Sequence, residues 1–417
     1  MTKNSSLSAV TTVCDVLVVG AGPAGIAAAL TLHSAGINVV VVDKAQFPRD
    51  KCCGDGLTTG ALRLLDELGF NPTSVPSWRT CNDAWLRSPN GREMCLPLPR
   101  GAGQFAAIAP RVELDNALVE HARHCGVKVI DGHGFISLAT HGDHLLVEIE
   151  NHESVRCNYL IAADGMWSPV RKSVGLSSPG YLGEWHAFRQ YASNVTGPAR
   201  DRLYVFFEKD LLPGYAWSFP LTDNRVNIGF GILRGGNYTV QDMKQLWPDI
   251  LARPHIAAAL GAEAVFDDRH TAWPIPARVT TATLGAGRVL LVGDAACVTD
   301  PLTGEGIGQA LLSGVLAGRA VIESGTRDPT LTQSIYRKSI KQHLFADHRM
   351  SAFLGYIMRS QLCARSALRL ANLTPWTRRN FARWMFEDEP RAVVFTPRRW
   401  HRNFLKRFGA FSNSPHH

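Results

Sequence analysis

The chain has 417 residues, 45% of them hydrophobic, with nine cysteines and a formal net charge of +8. That is enough apolar material for one large core or two ordinary ones. No uninterrupted apolar run reaches the roughly 18–20 residues of a membrane span, because the best candidate, 306–322, is broken by Gln309 and Arg319. The first thirteen residues are polar and show no secretory signal. An odd number of scattered cysteines without a C-x-x-C pair argues for reduced thiols in the cytoplasm rather than a disulfide framework or zinc site. The fifteen histidines have no metal-ligand spacing, so no metal is expected.

The first structured segment is the most informative. Val16-Leu17-Val18-Val19 reads as a buried strand, Gly20-Ala21-Gly22-Pro23-Ala24-Gly25 as a turn, and Ile26 to Leu32 as the following helix. Gly20 permits the tight turn, Gly22 lets backbone approach a pyrophosphate, and Gly25 lets helix and strand pack closely. Ala24 lies at the helix N-terminus, whose free N–H groups and dipole favour phosphate. A second buried strand, Val39 to Val42, ends in Asp43, placed for a ribose diol, with Lys44 beside it. Glycines alone mark turns everywhere, but this complete unit predicts a dinucleotide site.

A loop rich in special residues, Phe47 to Leu57, follows, then helices at Thr59–Leu68 and Val112–Cys125. Strands are predicted at Val127–Ile130, Leu145–Ile149 and Tyr159–Ala163. From Tyr191 to Leu233 the pattern changes to alternation, with antiparallel strands at Leu203–Phe207, Tyr215–Phe219 and Val226–Ile232. The nucleotide unit resumes at Val289–Val292 and a long helix after Gly306. From Tyr336 onward the chain reads as helical. Residues 337–417 carry sixteen Lys and Arg against four Asp and Glu, a net of +12, which leaves −4 on the rest. Trp376, Phe381, Trp384, Trp400, Phe404 and Phe408 interleave with these charges. Such a surface suits anionic membrane headgroups, the alternative being a helical C-terminal subdomain with a solvated basic face; nucleic acid has no motif behind it.

Two later motifs identify the dinucleotide. Asp164-Gly165 follows the strand ending at Ala163, and Gly293-Asp294 follows Val292, with Pro301 and Gly304-Glu305-Gly306-Ile307 beyond. The combination, spanning residues 14 to 325, resembles the FAD-dependent oxidoreductases of the para-hydroxybenzoate hydroxylase superfamily. The resemblance implies a Rossmann-type α/β FAD-binding domain interrupted by an antiparallel β-sheet substrate domain and closed by a helical cap. It assigns Asp294 to a ribityl hydroxyl, Arg111 to the ribityl–phosphate chain, and the Gly306 and Ile307 N–H groups to the pyrimidine edge of the ring. A helix N-terminus there stabilises the negative charge of reduced flavin.

Lys51-Cys52-Cys53-Gly54-Asp55-Gly56-Leu57 and Tyr215-Ala216-Trp217-Ser218-Phe219-Pro220 are similar to signatures of the geranylgeranyl reductase family, and Trp273-Pro274-Ile275-Pro276 to a family proline-rich turn. That family uses reduced FAD to saturate isoprenoid double bonds. Tyr215, Trp217 and Phe219 alternate, so they share one face of a strand. Asn227, Gly229 and Gly231 share a face of the next strand, and missing side chains leave room for a chain-like ligand. An ordinary sheet core is the alternative. Substrate contact is thus expected at Tyr215, Trp217, Phe219, Gly229 and Gly231. The resemblance brings Cys53 and Gly54 beside the ring, with Cys53, Tyr215 and Trp217 as catalytic candidates and Tyr215, Cys53 or water as proton donor.

The expected boundaries are 11–75, 101–175 and 285–335 for FAD, 76–100 and 176–284 for substrate, and 336–417 for the basic helical region. The leading expectation is reduction of a C=C bond in an isoprenoid or prenylated lipid or quinone. The alternative is hydroxylation of an apolar or aromatic substrate through a flavin hydroperoxide. Halogenation is disfavoured: Tyr215 and Phe219 depart from the halogenases' W-x-W-x-I-P, and no lysine lies between Lys51 and Lys128. No second glycine fingerprint opens a helix, so NADPH or reduced ferredoxin would supply electrons without a dedicated domain, the latter as a separate partner protein.

Overall fold

The computed structural model describes residues 12–98 and 104–400. Its first sheet has Thr12–Val19 at the centre, paired in parallel with Val39–Asp43 on one side and Val155–Ala162 on the other. Lys128–Asp131 extends one side and Val289–Leu291 the other, both in parallel. The hairpin Phe135–His141 and His144–Ile149 adds antiparallel strands beside Val155–Ala162. Continuous runs such as Val39–Val42 are buried because helices cover the sheet. Pro23–Ser34 and Ile307–Ser324 pack together on it, and only glycine fits at their crossing: a Cβ on Gly314 would stand 2.1 Å from the Ala24 carbonyl oxygen.

The second sheet is ordered Val265–Phe266, Trp185–Ser193, Val226–Leu233, Tyr215–Pro220, Leu203–Phe206, Asp83–Arg87 and Glu93–Pro97. Alternation divides its faces. Ile228, Phe230 and Ile232 pack with Trp247, Ile250 and Ile256 of the helices Met243–Ala252 and Pro254–Leu260. The opposite face looks toward the first domain. A small sheet of Gly56–Thr58, Ala106–Ile108 and Arg79–Thr80 joins the two. Helices Pro329–Ile340, Ala346–Met358, Gln361–Ala371 and Pro375–Met385 form the C-terminal layer.

Several elements depart from the expectations. Trp185–Ser193 begins six residues before Tyr191 and is the strand on which Val226–Leu233 and two short strands pair. The anticipated turn Trp273–Pro276 is mostly an edge strand, Thr271–Ile275, where Pro274 deprives no neighbour of a donor. Residues 243–260 supply the helices that back this sheet, an element not anticipated. Gly101–Gly103, Phe404 and Phe408 lie outside the described residues. Among those described, no helix is long and apolar enough to cross a membrane, and no His, Cys, Asp or Glu cluster suits a metal ion.

Candidate active site

A cavity of about 1190 Å³ runs unbroken from the glycine turn to the face of the second sheet. Its first end is walled by Gly20, Gly22, Ala24, Asp43, Lys44 and Asp164–Gly165. Gly20 has φ +106°, and a Cβ there would meet the Ala163 carbonyl oxygen at 2.3 Å. Gly25 is not in the wall: its role is packing, since a Cβ would fall 1.8 Å from the Gly20 oxygen. Asp43 accepts from the Ala21 N–H at 2.7 Å and the Ala45 N–H at 2.8 Å, which fixes the carboxylate at the strand end. Arg49 lies 3.5 Å from where a Gly22 Cβ would project, and it pairs with Asp115 at 2.8 Å. A cation thus stands beside the turn where a pyrophosphate would rest. Spacing alone gives Arg49 no such place.

The middle of the cavity is bordered by Gly293, Asp294, Gly304, Gly306, Ile307 and Arg111. Asp294 accepts from Lys51 at 2.9 Å. Arg111 is buried and held in a two-pronged pair with Asp115, both bonds 2.7 Å. Pro301, expected at the cofactor, is not in the wall; its carbonyl instead accepts from Trp185 Nε1 at 2.9 Å and fixes that indole. The described residues fit a large polar-edged ligand. Asp164 Oδ1, Trp273 Nε1 and Arg391 Nη1 are buried on lining residues with no hydrogen-bond partner among them. Such atoms are costly unless a bound group satisfies them.

The far end holds the aromatic strand. Tyr215, Trp217 and Phe219 all line the cavity, with successive ring centroids 6.2 Å apart. Across the strand pair, Tyr215 faces Gly231, Trp217 faces Gly229 and Phe219 faces Asn227. Only one of the two glycines is open. A Cβ on Gly231 would meet nothing nearer than the His186 oxygen at 3.9 Å, and Gly231 lines the cavity. At Gly229 the Trp217 indole lies where the side chain would be, 2.5 Å from that Cβ. The expected two-glycine floor is therefore one glycine, the other being spent on seating Trp217.

A buried polar clamp holds that indole. Trp217 Nε1 donates to Asn227 Oδ1 at 3.0 Å, while Asn227 Nδ2 donates to the Cys53 carbonyl at 2.8 Å and to Asp55 at 2.7 Å. Asp55, at φ +64°, also accepts from the Tyr191 hydroxyl at 2.7 Å and the Arg111 N–H at 3.2 Å. Burial nonetheless outweighs these bonds and raises its carboxyl to about 6. Phe219 packs on the same loop, 3.3 Å from where a Gly54 Cβ would point. The loop thereby presents Cys53 and Gly54 to the cavity. Burial, only partly offset by Arg111, pushes the Cys53 thiol up to about 11, so it holds its proton at neutral pH. The Tyr215 hydroxyl donates to the Thr303 carbonyl and is also raised by burial.

The C-terminal layer closes the cavity. Arg391 donates to Asp300 and to the Thr303 hydroxyl, both at 3.1 Å, and Gln309 donates to Glu387 at 2.8 Å. Glu305 lines the cavity and caps the helix that begins at Ile307 by accepting the Gly308 N–H at 2.8 Å. Burial and then the charge of Glu387 raise its carboxyl. Leu354, Met358, Leu368, Phe381 and Trp384 add an apolar wall. Glu387 and Arg391 carried no sequence signal, because Gln309, Asp300 and Thr303, the cavity residues they reach, lie more than seventy residues away in the chain.

A doubly wound sheet with a glycine turn, a helix N-terminus at the cavity and an aromatic slot defines an FAD-binding oxidoreductase. The family model described as an FAD binding domain matches residues 13–334. The chain is 33% identical to the menaquinone reductase of Mycolicibacterium smegmatis, covering 78% of this chain and 81% of that one. It is 31% identical to digeranylgeranylglycerophospholipid reductase 1 of Methanopyrus kandleri, with 78% and 84% covered. A geranylgeranyl bacteriochlorophyll reductase-like structure from Thermoplasma acidophilum shares the fold, at TM-score 0.75 and 22% identity over 93% of this chain and all of the other. The chain belongs to the geranylgeranyl reductase family of FAD-dependent oxidoreductases.

Proposed function

We propose that this protein saturates a C=C bond in the isoprenoid chain of a prenylated quinone or lipid. The continuity of one cavity, from glycine turn to aromatic strand to apolar helical wall, carries this reading. FAD would lie along the turn, its pyrophosphate at Gly22 and Arg49, its ribose at Asp43, and its ring toward Cys53, Gly306 and Ile307. Bound reduced FAD supplies the hydride. Tyr215, Trp217, Phe219 and Gly231 would hold the chain flat against the ring in a slot from which apolar side chains exclude water. Cys53 and Tyr215 keep their protons at neutral pH, so either can protonate the second carbon, with water as the other source.

This reading assigns FAD to 11–75, 101–175 and 285–335, and substrate to 76–100, 176–284 and the helical layer within 336–400. NADPH or a reduced ferredoxin would bring electrons from outside. The unpaired thiols of all nine cysteines favour a reducing compartment. We therefore place the enzyme in the cytoplasm, in peripheral contact with the membrane that dissolves such substrates. The test is anaerobic. The yellow protein is reduced, mixed with menaquinone in detergent, and followed by flavin absorbance and mass spectrometry. Reoxidation with a product that is still heavier by two hydrogen atoms after air has returned any quinol to the quinone, the gain lying in the isoprenoid chain, supports the reading. Reoxidation by oxygen alone, with a product gaining an oxygen atom, transfers the assignment to hydroxylation.

A further inference from the structure

The C-terminal helices have two apolar faces, only one of which the cavity uses. In Ala346–Met358, Leu354 and Met358 line the cavity, while Phe353 and Tyr356 project outward, 58% and 71% exposed. In Gln361–Ala371, Ala367 and Leu368 line the cavity, while Leu362 and Leu370 are 71% and 61% exposed. Leu373, Trp376 and Phe395 continue the outward apolar set. Exposed apolar residues are ordinary singly, but repetition along consecutive helices marks an interaction surface.

The charges on this layer are sorted by side. Its acids are engaged within the protein: Asp347 with Arg399, Glu387 with Arg391, Asp388 with Arg63 and Arg383, and Glu389 with Arg383. Arg349, Arg359, Arg365, Arg369 and Arg398 are exposed and form no ion pair among the described residues. On Gln361–Ala371, Arg365 and Arg369 are one turn apart, and Arg365 lies one turn from Leu362 on the outward side. Outward leucine and aromatic side chains with unpaired arginines between them match an anionic bilayer, which takes both at once. A protein partner of this chemistry would need acidic side chains set around apolar knobs; a bilayer needs no such register.

We infer that the outer face of residues 346–400 docks on an anionic lipid surface, and that the isoprenoid chain passes from that surface into the cavity between these helices. The inference rests on the proposed substrate for its second half only. Docking itself requires no turnover. Phe353, Leu362 and Leu370 would sink to the acyl boundary, with Arg365 and Arg369 at the headgroups. Each arginine near such a surface contributes about a fivefold gain in binding.

The test is co-sedimentation of the full-length, FAD-loaded protein with vesicles of phosphatidylcholine alone or mixed with phosphatidylglycerol. Binding is expected to the mixed vesicles and to weaken with salt. Arg365→Gln/Arg369→Gln should weaken it by roughly thirtyfold, and Phe353→Ser/Leu362→Ser/Leu370→Ser should abolish it. Both variants should keep their flavin absorbance and their activity on detergent-dispersed substrate. Indifference of the wild type to anionic vesicles, equal binding by the variants, or light scattering that shows this face sealed between two copies would overturn docking. If docking holds but no prenyl substrate reoxidises the flavin in detergent, the proposed function fails and the surface stands. Activity in detergent without vesicle binding keeps the proposed function and removes the surface.

Discussion

Asn227 and Asp55 form a buried pair 2.7 Å apart, and through it the aromatic strand and the Cys53 loop are one rigid body. The same amide accepts from Trp217 and donates to the Cys53 carbonyl, so only a side-chain amide can satisfy all three. Asn227→Ala is expected to cost about 3 kcal/mol of stability, because the indole N–H and the Cys53 carbonyl are left buried and unpaired and Asp55 loses one of its three donors. Urea unfolding measures that loss. A double-mutant cycle with Trp217→Phe should show coupling of at least about 1 kcal/mol; additive losses would refute the clamp.

The Asp55 carboxyl gives the protein a pH signature of unusual sign. Its pKa rises from 3.8 to about 6 on folding. Between those values the folded chain binds more protons than the unfolded one, so stability falls as pH rises through this window and is level above it. The drop from this one group should approach about 3 kcal/mol. Asp55→Asn removes the slope. Stabilities of the two proteins, compared at intervals between about pH 4 and pH 7, should differ in slope within the window and run parallel above it. A constant difference across the window would exclude the assignment.

The two strand glycines should respond in opposite ways. Gly231→Val adds a side chain the strand tolerates and points it into open cavity. We expect normal folding and FAD content but a KM for prenyl substrate raised at least about tenfold, a loss of roughly 1.4 kcal/mol. Gly229→Ala would drive a methyl into Trp217 and the Phe188 carbonyl, 2.5 and 2.4 Å away. It should unfold the second sheet or yield no protein. A Gly229→Ala enzyme with wild-type stability would show that the indole moves freely.

At the other end of the cavity, Gly25→Ala should give protein that purifies without colour when FAD is supplied. The added carbon would overlap the Gly20 carbonyl at 1.8 Å, so the turn must open. Full flavin occupancy in that variant would detach the turn from the cofactor.

The contrast between these sites explains what could be read from residues alone. The glycine turn, its strands and Asp43 are contiguous in sequence, and each local preference agrees with the final fold, so the pattern carries the structure. The shared face of Tyr215, Trp217 and Phe219 follows from a period of two and was equally legible. That Trp217 fills the space above Gly229 was not, because periodicity fixes which side a ring is on and not how it leans. The strand Trp185–Ser193 was not predicted, because His186, Arg189 and Gln190 blur the alternation along it. Asp55 needs Asn227 and Tyr191, and Asp300 needs Arg391; pairings across 90 residues and more leave no trace in spacing.

Arg391 sits on Asp300 with both side chains 2% exposed, and its segment roofs the flavin cavity. Ribosomes deliver that segment only after every other wall has been made. The nascent protein is therefore a bowl before it is a box. Cofactor entering the bowl would be sealed by the stretch of chain that arrives later, and trimming near Glu387, which removes the Asp388–Arg63 and Arg391–Asp300 pairs, should cost closure and stability together.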